Sequence, residues 1–175
     1  IFRPIKTSDL QNVNELTKKA NSGLSNLPKT LEQTKSMITT STNSFKDKVN
    51  SAEKKFIFVI EKNQKEIVGI SGIKARTGVK RPYYSFIIND NVKYPYLELA
   101  KDYYGPSEIG SLFLCPKHRN KGIGRLLSLS RFLFIKSNPD LFTKTIIAEL
   151  RGFLYKNNVS PVWNAIGKKF MGLSF

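Results

Sequence analysis

Residues 107–135, SEIGSLFLCPKHRNKGIGRLLSLSRFLFI, hold the densest chemistry in the sequence. Ile109, Leu112, Phe113, Leu114 and Cys115 form an apolar run closed by Pro116, the pattern of a strand buried on both faces. Lys117, His118, Arg119, Asn120 and Lys121 then make an abruptly basic turn. Gly122 and Gly124 follow, and Leu126, Leu129 and Leu133 recur at helical spacing along one face. A strand that ends at the first turn of a helix presents N–H groups with no intrahelical partner, at the positive end of the helix dipole. Glycine leaves that backbone open to close approach, and Arg119, Lys121 and Arg125 add positive charge. The chemistry implied is capture of a phosphate or pyrophosphate. The same pattern also describes an ordinary strand-to-helix connection with a solvated basic face.

Two carboxylates complete the candidate set. Glu108 and Glu149 lie at the edges of predicted strands, where either can engage a cationic substrate or accept a proton through water. Salt bridges to Arg151, Arg131 or a nearby lysine are the equally open alternative, and Arg151 could conversely attract a substrate carboxylate. His118 is the single histidine. Its place in the basic turn suits a solvated or phosphate-side residue better than a catalytic one.

The elements that must position these residues follow from periodicity. Phe2 to Ile5 reads as a first strand, with Pro4 placing it at a sheet edge or at a strand start. A helix follows, with Ser8 as N-cap, Asp9 in its first turn and a stripe of Leu10, Val13, Leu16 and Ala20. Residues 30–49 read as a second helical stretch with Leu31, Ile38, Phe45 and Val49 toward the core. Its Ser/Thr-rich centre also admits two shorter helices. Residues 55–61 and 66–75 read as a hairpin in which Gly69 and Gly72 mark a bulge or a close backbone contact. Residues 83–88 are another strand, in a section rich in tyrosine that is expected to pack and to line pockets. Residues 145–151 form a further buried strand. Ser160 caps a last helix begun by Pro161, with Trp163, Ile166 and Phe170 on one face.

At 175 residues with 40% hydrophobic content, the chain has the length and composition of one globular domain. No run reaches the length of a membrane span. A single cysteine, Cys115, excludes an internal disulfide framework and a cysteine-rich zinc site, and is expected to be a buried strand thiol. The formal charge of +16 favours anionic partners. The basic residues occur as scattered pairs without a recognisable reading helix, which makes nucleic acid an unlikely partner.

Arg119-Asn120-Lys121-Gly122-Ile123-Gly124 matches the Arg/Gln-x-x-Gly-x-Gly/Ala signature of the GNAT acyltransferases. Residues 107–134, residues 148–170 (AELRGFLYKNNVSPVWNAIGKKF) and Ser22-Gly23-Leu24-Ser25-Asn26-Leu27-Pro28 together resemble one family, the bacterial arginine N-succinyltransferases. The resemblance implies an α+β, GNAT-like fold, with a mixed, mostly antiparallel sheet flanked by helices and lacking its last strands. Residues 1–175 would be a single domain, the N-terminal portion of a longer family architecture. The implied reaction, in arginine catabolism, transfers succinyl from succinyl-CoA to the α-amine of L-arginine, in the cytoplasm and without a metal. The resemblance is compatible with a homo- or hetero-oligomer with a family-related chain. Leu112, Phe113 and Leu114 would hold the pantetheine, Leu112 matching the leucine to which the family assigns succinyl-CoA contact. Arg119, Lys121, Gly122, Gly124 and Arg125 would receive the pyrophosphate. The family's acid histidine belongs to a later segment, and the last helix here supplies no GNAT-type tyrosine. The general acid is thus unassigned, and CoA binding is expected to outlast turnover in this chain alone. A non-catalytic acyl-CoA or nucleic-acid binding module, or an acyltransferase with another amine acceptor, are the alternatives.

Overall fold

Phe2–Pro4 forms β1, an edge strand as the missing N–H of proline requires. It pairs antiparallel with β2 (Lys55–Lys62), which pairs antiparallel with β3 (Glu66–Lys74). β4 (Tyr83–Asn89) and β5 (Tyr96–Asp102) pair with each other as a separate two-stranded sheet. β6 (Ser107–Leu114) returns antiparallel to β3, and β7 (Ile146–Ile147) lies parallel to β6. The main sheet therefore has the order β1-β2-β3-β6-β7, the mixed and mostly antiparallel sheet expected of an α+β fold. These elements are those of a computed structural model, which describes residues 1–20, 24, 26–63, 66–119, 122–150, 152–155 and 159–173.

Alternation along β2 sends neighbouring residues into opposite layers. Ile57 and Val59 join Ile70 and Phe113 under Val13 and Leu16 of α1 (Leu10–Lys18) and Ile38 of α2 (Leu31–Phe45). Phe56 and Phe58 face the other way. They pack with Ile73, Phe142 and Phe134, the last from α3 (Ile123–Ser137), while Leu127 of α3 meets Val68 and Leu114. Phe45 reaches this second layer, edge-on to Phe56 and Phe58 at centroid distances of 5.0 and 5.5 Å. Each such aromatic pair adds about 0.5–1.5 kcal/mol beyond its burial. The sheet is thus held between two helical layers.

Several local expectations are corrected. Ser8 lies within a 3-10 turn, Thr7–Asp9, and it is the Asp9 carboxylate that accepts the Lys6 N–H at 2.7 Å. α2 is one continuous helix, capped by Thr30 in a capping box with Gln33. Its hydroxyls stay compatible with the helix because Thr42 and Ser44 donate to carbonyls one turn back. Ser41 and Ser44 also accept the N–H groups of Ile57 and Lys55, where β1 no longer covers β2. Leu31, at the capped end of α2, is exposed. The leucine stripe of α3 points outward, with Leu126, Leu129 and Leu133 at 52%, 52% and 66% exposure, and Leu127, Ser130 and Arg131 are buried instead. This helix carries apolar residues on two sides, so two stripes satisfy the same period.

The tyrosine-rich section is the largest departure. β4 and β5 pair only with each other, which leaves Tyr84, Phe86, Tyr96 and Leu99 exposed rather than packed. Of the strand expected over residues 145–151, the described residues form only the two of β7, and Leu150 beyond it is 90% exposed. Ser160 does cap the last helical segment, accepting from Trp163 N at 3.1 Å. That segment runs through a π-helical turn, Trp163–Gly167, into α4 (Lys168–Met171), and leaves Ile166 and Phe170 exposed.

Candidate functional site

β6 carries a candidate site at each end. Gly110 pairs with Gly72 and Phe113 with Ile70, so Ser111 and Leu112 stand opposite the single residue Ser71. This is a β-bulge, with Ser111 at φ 51°, in the left-handed region. The bulge turns Leu112 outward, to 39% exposure, which corrects the expectation of a strand buried on both faces. Beneath it the Ser71 hydroxyl is buried without a hydrogen-bond partner. Arg131 steadies the strand from the α3 side, its guanidinium donating to the Gly110 carbonyl at 3.4 Å and to Ser128 O at 3.1 Å. Burial holds that guanidinium below the ordinary arginine range.

Beyond the bulge, Pro116–His118 makes a 3-10 turn and Gly122, at φ 77°, caps α3. A Cβ on Gly122 would meet nothing within 4 Å, and one on Gly124 only Leu114 Cδ2 at 3.7 Å, so the start of α3 is open to a ligand's approach. A cavity of about 690 Å³ is lined here by Leu112, Phe113, Leu114, Gly122, Gly124 and, from across the site, Leu24. Arg119 also lines it, but its Nε donates to the Leu114 carbonyl at 3.1 Å, so this residue fixes the end of the strand as well as adding charge. Arg125 is exposed in the first turn of α3. Lys121 and Asn120 lie outside the described residues. His118 is less solvated than expected, with Nε2 at 3.5 Å from Glu66 Oε1.

At the other end of β6, Glu108 is 2% exposed. Its Oε2 accepts from Lys74 Nζ at 2.6 Å and its Oε1 from Asn26 Nδ2 at 3.4 Å. The salt bridge to a nearby lysine is therefore present. The ion pair itself lines two cavities, of about 450 and 470 Å³. The second also contains Glu149, which lies past the end of β7. Tyr83 stands beside it. Burial, and then the phenol's hydrogen bond to the Glu149 carboxylate, push the Tyr83 pKa up to about 12. Arg131 pairs with neither carboxylate, and Arg151 lies outside the described residues.

Sequence reasoning named both carboxylates and the glycine turn as candidates and gave Lys55, Lys74 and Asn26 no role of their own; Tyr83, from the section expected to pack and to line pockets, lines the cavity with Glu149. Asn26 is a link between the two ends, since its backbone carbonyl accepts from Ser111 Oγ at 3.3 Å while its side chain reaches Glu108. The two lysines could not be placed by counting along the hairpin: from the Lys62–Glu66 pair the count sets Lys55 opposite Ile73, and the register shift between Ile60 and Glu61 brings Lys74 there instead. Among the described residues, no group of three His, Cys, Asp or Glu could hold a metal ion, and no helix is long and apolar enough to cross a membrane.

Comparison with known proteins bears on the fold and the family. A solved structure, subunit AI of the arginine/ornithine succinyltransferase from Pseudomonas aeruginosa, superposes with a TM-score of 0.84 at 29% identity, covering 99% of this chain and 56% of that one. An aminoglycoside 6'-N-acetyltransferase from Acinetobacter baumannii, at 11% identity and a TM-score of 0.50, shares the fold. Among sequence relatives, the arginine N-succinyltransferase of Photorhabdus laumondii is 36% identical, and the arginine N-succinyltransferase subunit beta of P. aeruginosa 32% identical, each over the whole of this chain. The chain spans 54% of the length of both relatives. The family model described as "Arginine N-succinyltransferase beta subunit" matches residues 1–175, and with that match the chain belongs to this family of GNAT-fold acyltransferases.

Proposed function

We propose that this chain binds succinyl-CoA along β6 and directs its acyl group to the α-amine of L-arginine. The observation that carries this reading is that one strand joins an open, glycine-lined helix start to a buried carboxylate, with the bulge between them. The pyrophosphate lies at Gly122 and Gly124, with Arg119, Lys121 and Arg125 supplying charge. The pantetheine runs past Leu112, which the bulge releases from direct pairing, and on past Phe113 and Leu114. The acceptor sits in the cavities lined by Glu108 and Glu149, whose carboxylates can meet its ammonium or guanidinium.

The reaction is attack of a neutral amine on a thioester. The new N–C bond forms as the C–S bond breaks, and backbone N–H groups near the bulge stabilise charge on the carbonyl oxygen. Glu108 holds the amine and takes up its proton directly or through water, while the departing thiolate is protonated from solvent or by a group of a family-related partner chain. Residues 1–175 act as one domain in the cytoplasm. The word subunit in the names of the P. aeruginosa relatives supports assembly with such a chain.

The test is thiol release from succinyl-CoA with arginine, ornithine, lysine and a polyamine as acceptors, run beside calorimetric binding of CoA. Arginine is expected to give the highest kcat/KM. Faster release with a polyamine, a protein lysine or an aminoglycoside would overturn the acceptor and leave the fold intact.

A further inference from the structure

Three charged residues lie in one row across the sheet. Lys55 of β2 pairs with Lys74 of β3, and Lys74 pairs with Glu108 of β6. Directly paired residues share a face, and this row faces α2. Lys55, Lys74 and Glu108 line the same cavity as Ser36, Met37 and Thr40 of that helix. Neighbouring strands are about 4.8 Å apart, so the carboxylate stands one strand from one ammonium and two from the other.

Like charges directly opposite each other destabilise a sheet, and this row holds two cations to one anion. Glu108 is committed to Lys74 at 2.6 Å. Nearby cations have carboxylates of their own, Lys54 with Asp47 and Lys80 with Glu53. Lys55 has no ion pair among the described residues, although it lines both cavities at this end of β6. Although the residue is exposed, partial desolvation and then the neighbouring Lys74 hold its ammonium below the ordinary lysine range, with Glu108 pulling the other way. An anion placed between the two lysines would offset the repulsion between them.

We propose that Lys55 and Lys74 form a carboxylate-binding subsite beside Glu108. The row then reads a zwitterion, since an ammonium meets Glu108 while a carboxylate on the same ligand meets the lysines. This inference rests on the acyltransferase reading of the cleft. That reaction offers two carboxylates, the α-carboxylate of the acceptor and the distal carboxylate of the succinyl group, and the shared chemistry is what the lysines recognise.

The test is equilibrium binding of two ligand pairs, each differing by one carboxylate: succinyl-CoA with butyryl-CoA, and L-arginine with agmatine. The parent is expected to prefer the carboxylated member of at least one pair by about tenfold, the strength of a charge-assisted contact. Lys55→Met erases that preference without weakening the carboxylate-free ligand, and Lys55→Arg keeps it. A preference in the first pair assigns the subsite to the donor, one in the second to the acceptor. Lys80→Met removes an equal charge from the same wall and leaves the preference in place. The melting temperature of Lys55→Met is not lowered, because one of two facing cations is gone. No preference in either pair, a preference that survives Lys55→Met, or equal erasure by Lys80→Met would each overturn the subsite. If neither CoA ester binds the parent, the acyltransferase reading fails by itself, and the arginine and agmatine pair still decides whether the lysines bind a carboxylate.

Discussion

The two ends of β6 solve their binding problems by different means. At the Leu114 end the recognition elements are backbone, with a bulge, a left-handed Gly122 and the first turn of α3, all close together in sequence. At the Ser107 end they are side chains brought from far apart: Glu108 with Lys74 and Lys55 by strand register, Asn26 by a loop, and Tyr83 with Glu149 at the rim. The first kind suits a ligand group such as pyrophosphate, which needs many donors and little selectivity. The second suits an amino acid, where the placement of each charge must be matched. Because the two ends share a strand and the Asn26 link but no charged side chain, a change at one should leave the other nearly untouched.

Glu108→Ala is the strongest way to break that independence. It strands Lys74 opposite Lys55 with no carboxylate between them. Removing one member of a buried ion pair costs about 3–5 kcal/mol, and the 38% exposure of the Lys74 side chain reduces this to about 2 kcal/mol. Arginine-dependent thiol release should fall by about a hundredfold or more, the scale of a lost proton acceptor. Urea unfolding and calorimetry separate the two effects. CoA affinity is expected to stay within about twofold of the parent, and a parallel loss of CoA binding would show that the ends are one site.

The same contrast accounts for what was legible in the sequence. The glycine turn could be read because each of its parts lies within a few residues of the next. The segment match then supplied the fold, and the outer strand, the long hairpin and α1 followed from periodicity. The Lys55, Lys74 and Glu108 row spans three strands, so it became visible only once their register was known. The α3 stripe was misread because Leu126, Leu129 and Leu133 keep the same period as the buried Leu127 and Arg131. The β4–β5 hairpin was misread for a different reason. Aromatic residues ordinarily signal burial, but these strands lie outside the main sheet.

Gly124→Asp sharpens the comparison from the opposite end, with a smaller effect. The new Cβ meets only Leu114 Cδ2, at 3.7 Å, so there is room for the side chain. A carboxylate in the first turn of α3 interacts favourably with the helix dipole by about 0.3–1 kcal/mol, and replacing glycine inside a helix relieves a backbone entropy cost. Stability is therefore expected to hold or rise slightly, while the same charge repels a phosphate and weakens CoA by about tenfold or more. The signs are opposite, so a thermal melt and a CoA titration on one sample suffice. Unchanged CoA affinity in the folded variant would remove the pyrophosphate from this turn, and L-arginine binding should not move.

The smallest expected effect lies at the rim of the side-chain end and tests whether Tyr83 and Glu149 belong to it as a pair. The folded-state pKa of Tyr83 is pushed up to about 12, whereas an unfolded tyrosine titrates near about 10. A group whose folded pKa is raised contributes stability that is fully present below the unfolded value and is lost as pH rises through the folded one. Tyr83→Phe should therefore cost about 0.5–1 kcal/mol, the worth of one hydrogen bond at a partly solvated site, with no change between pH 6 and about 9. The difference from the parent should shrink between about pH 10 and 12. Ultraviolet titration of phenol ionisation gives a second reading, since the absorbance lost in Tyr83→Phe should have its midpoint near 12. A midpoint near about 10 would mean that the phenol is free of Glu149, leaving that carboxylate unpaired by Tyr83 and open to the acceptor amine.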